Sequence, residues 1–241
     1  MRTIEIKRLG VVPYARGLEL QEQAARPLRA GREAPEVLLV LQHEPVITLG
    51  RNAGREDVRL DDEELRRRGI AVVETDRGGH ATLHSPGQIV VYPILHLPRR
   101  GLGPARLVEL LEEAMIETCR TFGVAAGRLP PHPGVWVEAV PGKPARKLGA
   151  VGLRISGGVS THGIAFNATN DLRLFEAIVP CGLQGFGVTS LEVELGRPVA
   201  PAAVEDALVW AVQSELVECE AQRTAPHARV AAPAQRRGAQ D

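Results

Sequence analysis

Residues 146–169 read RKLGAVGLRISGGVSTHGIAFNAT. Two apolar runs, 148–155 and 159–167, follow one another with only Ser156, Gly157 and Gly158 between them, and each has the composition of a strand. No helical pattern intervenes. The same clustering recurs outward from this stretch, with strand candidates at 36–42, 71–74, 88–94, 135–140 and 188–193. Helix signatures bracket these clusters. Apolar residues at three- and four-residue spacing run from Pro104 to Gly123 and from Pro201 to about Glu220, and shorter helices are expected over about 15–25, ending before Pro27, and about 62–68. Helix, strands, helix, strands, helix is the order of an α+β fold with a mixed or antiparallel sheet flanked by helices, not of a doubly wound parallel sheet.

The chain has 241 residues, with 29 Lys and Arg balanced by 29 Asp and Glu, so no global field points to nucleic acid or an anionic membrane surface. A charged partner must be met by a local patch. The opening MRTIEIKRLG lacks the apolar stretch of a secretory signal, and the expectation is a cytoplasmic protein with no membrane span. Residues 1–222 read as one catalytic domain. The run 223–241 has almost no large apolar residues and is expected to be a disordered tail. Cys119, Cys181 and Cys219 are too widely and irregularly spaced for a disulfide framework or a zinc site, so they are taken as separate thiols, with Cys119 and Cys219 on buried helix faces. No metal and no cofactor is expected.

Three stretches carry chemistry. RGGHATLHSPGQIVVYP, at 77–93, places Gly78 and Gly79 among Arg77, His80, Thr82 and His84, which reads either as a loop whose backbone approaches a ligand closely or as a surface turn with solvated histidines. In the strand pair, Lys147 stands at the entry to an apolar run, where a covered ammonium needs a partner or a function, although a solvated strand-end lysine is the simpler reading of the residue alone. By itself, His162 reads as a hydrogen-bonded core histidine more often than as a catalytic group. IVPCGL, at 178–183, sets Cys181 between Pro180 and Gly182, in a turn able to display a thiol, although a buried inert thiol is the simpler reading of an isolated cysteine.

Taken together, LLVLQHEPVITLGR, RGG-x-A-T-x-H followed by PGQ, the lysine strand, HG-x-A-x-N and PCG resemble the octanoyl-carrier-protein:protein octanoyltransferases, also called lipoyl(octanoyl) transferases or the lipoate biosynthesis protein B family. The resemblance extends from about Leu38 to Leu191. It implies the fold shared with the biotin and lipoate protein ligase catalytic domain. It implies Cys181 as the acylated nucleophile and Lys147 as the group that lowers its pKa and handles protons. Arg77, Gly78, Gly79, His80, Ala81, Thr82, Leu83 and His84 would line the acyl and carrier site, with Ala150, Val151, Gly152, Gly163, Ile164 and Ala165. The implied donor is octanoyl-acyl carrier protein. The implied acceptors are lipoyl domains of 2-oxoacid dehydrogenase complexes and the glycine cleavage H protein. Leu83 stands where the family usually has an aromatic residue, and Ser85 where it usually has glycine. An ATP-dependent ligase of the same fold, or a non-catalytic scaffold for the same partners, would leave Cys181 idle.

Overall fold

The computed structural model describes residues 3–179 and 185–224. An eight-stranded sheet runs in the order β1 (Ile4–Val12), β2 (Glu36–His43), β6 (Gln88–Ile94), β10 (Val159–Asn167), β9 (Arg146–Ser156), β8 (His132–Val137) and β7 (Gly127–Leu129), with β11 (Gly187–Val188) added beside β9. Its β1–β2 and β9–β11 pairs are parallel and the rest antiparallel, so the sheet is mixed. A second sheet of three strands has β3 (Val46–Leu49) between β4 (Ala71–Glu74) and β5 (Ala81–His84).

The period-two alternation of strands decides which helix covers which face. Leu38 and Val40 of β2, with Ile89 and Val91 of β6, join the core under α4 (Pro104–Thr121) and α6 (Pro201–Thr224). Their neighbours Val37, Leu39, Leu41, Val90 and Tyr92 turn the other way, onto Ala25 and Leu28 of α1 (Tyr14–Arg29). Both faces are therefore dry, and β2 reads as one apolar run instead of alternating. Helix α4 starts with Pro104 at its first turn and buries Leu107, Leu110, Leu111, Met115 and Cys119. Each such leucine contributes about 2 kcal/mol by leaving water. Three short helices, α2 (Asp62–Arg67), α3 (Leu97–Arg100) and α5 (Leu191–Leu195), complete the fold. A third core fills the space under the small sheet, from Ile47, Leu65, Leu83, Phe175 and Ile178.

Several expectations need correction. Helix α1 continues through Pro27 to Arg29, because the proline lies in the last turn and the fully buried Leu28 anchors that turn. The strand expected at 188–193 stops at Val188; the Ser190 side chain then accepts from the backbone of Val193 and starts α5 instead. The strand expected at 135–140 lies at His132–Val137. Residues 81–84, read as part of a loop, form β5. Cys219 is only half-buried, unlike Cys119. Helix α6 runs to Thr224, and the rest of the expected tail, 225–241, lies outside the described residues, as does Cys181.

Candidate active site

The two sheets meet along a turn at Arg77–Gly79, and glycines make the meeting close enough for a cleft. The Gly78 N–H donates to the Leu153 carbonyl of β9 at 3.0 Å, linking the small sheet to the large one. A Cβ on Gly152 would stand 3.2 Å from the Arg77 side chain, and one on Gly50 would stand 2.3 Å from the Gly79 carbonyl oxygen. The buried Arg77 guanidinium holds the turn from within. It donates to the Thr48 carbonyl at 2.6 Å, to the Thr48 hydroxyl and to the Gly78 carbonyl at 3.0 Å.

Strand β10 shapes the opposite wall. Its pairing with β6 starts only at Ile164 opposite Val91. Just before that point His162 adopts φ 56°, a left-handed conformation that a non-glycine residue holds only when its surroundings fix it. Its N–H donates to Gln21 Oε1 at 2.6 Å and its Nε2 lies 2.9 Å from Asp76 Oδ1, while Asp76 also pairs with Arg154. Gly163 follows, and its missing side chain lets the Val91 carbonyl approach.

Between these walls lies a cavity of about 280 Å³, close to the smaller of the sites that take small molecules, which span roughly 300–1,000 Å³. Arg77, Gly79, His80, Ala81, Thr82 and His84 line one side, and Ala150, Val151, Gly152, Gly163, Ile164 and Ala165 the other, with Lys147 among them. Two expected lining residues do not take part. Gly78 is spent on the bond to β9, and Leu83 points away from the cleft into the core of the small sheet, fully buried, because β5 alternates.

The sequence reading missed Tyr14, Tyr92 and the span Pro131, His132 and Pro133, all of which line the cavity. A signal for the tyrosines existed: the chain has only two, and both are here. With His43, His84 and His162 they form a contiguous ring cluster, with centroids 5.0 to 6.2 Å apart. Burial is the main force on these groups. It lowers His43 and His162 to about 4 and His84 to about 3, with the neighbouring positive groups adding to the effect for His84 and His162, so all three are neutral at pH 7. Burial also raises both tyrosines above their ordinary range.

Lys147 is half-buried, with Nζ 4.7 Å from the centre of the Trp136 ring. Phe186 packs edge-on against Trp136 and His132, at 5.3 and 5.2 Å. Val188 pairs with Lys147 across β11 and β9, and the Thr189 N–H donates to the Lys147 carbonyl at 2.9 Å. Lys147 thus borders both the main cavity and a smaller one of about 30 Å³ lined also by Gln88, Asn167 and Phe186. Shortly after Cys181 in sequence, the chain runs past Lys147 along β11. Among the described residues no group of three His, Cys, Asp or Glu side chains converges as a metal site, and no helix is long and apolar enough to cross a membrane.

The family model of the lipoyl protein ligase A/B catalytic domain matches residues 13–213. Solved structures agree on the fold. A bipartite lipoate protein ligase from Thermoplasma acidophilum superposes with a TM-score of 0.68 at 15% identity, covering 92% of this chain and 90% of that one. A biotin protein ligase from Aquifex aeolicus gives 0.53 at 13% identity, covering 90% and 72%. Sequence relatives are nearer. An octanoyltransferase of Roseiflexus sp. is 44% identical over 210 residues, 87% of this chain and 85% of the relative, and one of Mycobacterium leprae is 43% identical over 88% of each. A third, from Myxococcus xanthus, is 42% identical over 86% of this chain, which spans 58% of that longer protein. The chain belongs to this catalytic-domain family and, within it, to the octanoyltransferases, which are acyltransferases.

Proposed function

We propose that this protein transfers an octanoyl group from the thioester of acyl carrier protein to a lysine of a lipoyl domain, through a thioester on Cys181, in the cytoplasm. The acceptors are lipoyl domains of 2-oxoacid dehydrogenase complexes and the glycine cleavage H protein. The observation that carries this reading is the position of Lys147, at the border of an apolar cavity and beside the strand that continues from Cys181. A neighbouring ammonium favours the thiolate over the thiol and so raises the fraction of active nucleophile.

Cys181 attacks the octanoyl carbonyl, the carrier thiol leaves with a proton, and a second attack by the acceptor amine forms the amide and releases the thiol. Lys147 holds the thiolate in the first step and relays the amine proton in the second. Arg77, Gly79, His80, Ala81, Thr82 and His84 form the cleft on one side, with 150–152 and 163–165 on the other, and the acyl chain lies between them. Octanoyl donors labelled on the acyl group should add one acyl mass to the intact protein, on the peptide holding Cys181. Cys119 is a poor competitor, because burial pushes its thiol up to about 12. A label on Cys119 or Cys219, with none on Cys181, overturns the assignment.

A further inference from the structure

The cavity has a polar far end. Its exposed members Gly79, His80, Pro131 and Pro133 mark the mouth, and the buried Tyr14, His84, Tyr92 and His162 mark the far end. A chain of hydrogen bonds fixes the proton on His84. Asn167 Nδ2 donates to the Thr189 carbonyl at 3.0 Å, which leaves Asn167 Oδ1 to accept from Gln88 Nε2 at 3.0 Å. Gln88 Nε2 also donates to the Leu83 carbonyl at 3.1 Å, so Gln88 Oε1 is the atom that faces His84 Nδ1 at 2.7 Å. Nδ1 therefore carries the hydrogen, and Nε2 carries a lone pair.

That lone pair has no hydrogen-bond partner among the described residues, and His84 lines the cavity. Tyr92 is oriented in the same sense. His43 Nδ1 faces the Val12 carbonyl at 3.0 Å and must carry its hydrogen, so His43 Nε2 accepts the Tyr92 O–H at 2.8 Å and the Tyr92 oxygen keeps only acceptor capacity. At the far end His84 Nε2 and the Tyr92 oxygen are therefore acceptors.

We infer that His84 is a specificity-determining residue that reads the end of the bound acyl chain: its Nε2 accepts a hydrogen bond from a donor there, so a chain ending in hydroxyl is preferred to a methyl-ended chain long enough to touch it. A methyl pressed against Nε2 leaves that acceptor dry and unpaired, which is the costly arrangement for a buried polar atom. The inference rests on the cavity being the acyl site, as proposed above, and adds which acyl chains it takes.

The test measures equilibrium binding to the full chain of methyl octanoate, methyl decanoate and their ω-hydroxy counterparts, which are unactivated and bind without acylating Cys181. At the length that reaches the far end, the hydroxylated ester should bind about tenfold more tightly than its methyl-ended partner. In His84→Leu the ratio should fall to about one. Equal affinities within every pair in the wild-type protein, or no binding by any ester, overturn the inference whether or not the variant folds. A preference that survives in folded His84→Leu overturns it too. Failure of Cys181 to take up an acyl group is a separate result that refutes the transfer reading and leaves this ratio standing.

Discussion

Gly163→Ala is the smallest change that closes the site from within. Its new Cβ would lie 2.1 Å from the Val91 carbonyl oxygen and 2.7 Å from Pro93 Cδ, where ordinary contact begins at 3.4 Å. The first of these atoms is backbone, held in antiparallel register at the point where β10 joins β6, so no rotamer change relieves it. One strand must move by about 1.3 Å, either opening the pairing or pushing β10 into the cavity. Overpacking of this kind costs about 3 kcal/mol, at the upper end of its range because the obstacle is main chain. For a chain of this size that lowers the melting temperature by about 6–12 °C. Calorimetry on the variant, with octanoyl transfer measured below its transition, should show both the thermal shift and a loss of turnover. Gly127→Ala is the control, since nothing lies within 4 Å of its Cβ, and it should match the wild type in both. A Gly163→Ala protein melting within a degree of wild type would refute the reasoning.

Three further outcomes are expected. Lys147→Arg keeps a positive charge near Trp136 but cannot give up a proton, so single-turnover acylation of Cys181 should survive better than transfer to the acceptor amine; an equal loss in both steps counts against proton relay by Lys147. Transfer from octanoyl-carrier protein should run at full rate without ATP or magnesium, and modification only from free octanoate with ATP would favour a ligase. His43 and His162 titrate near 4 in the folded chain and near 6.5 when unfolded, so the unfolded state takes up protons first and stability present above about pH 6.5 is lost as pH falls toward 4. One such histidine accounts for about 2 kcal/mol between pH 7 and 5, and urea midpoints unchanged over that interval would contradict the burial of these rings.

The main sheet was legible where apolar runs were long. Strands 88–94 and 159–167 coincide with the observed ones, because both are buried on two faces and even their polar residues, among them Gln88, Ser160 and Asn167, lie inside. Strand β1 escaped notice because Glu5, Lys7 and Arg8 give an edge strand the look of a surface loop. β5 was hidden by its position after two glycines and by Thr82 and His84, whose polarity comes from facing the cleft and not from facing water. Most of the cleft was recognisable as a family pattern. Tyr14 and Tyr92 were not, since their roles arise from packing between α1, β2 and β6, which no local pattern encodes.

The bare positions at Gly79, Gly152 and Gly163 have a thermodynamic consequence. At these points the cleft wall is main chain, and main chain has no rotamers left to freeze when a ligand arrives. Each flexible side chain that a binding site must immobilise costs about 0.5–1.5 kcal/mol. A wall of glycines avoids that loss, so a short, flexible acyl chain, which must surrender its own torsional freedom, meets a surface whose freedom was already given up when the protein folded.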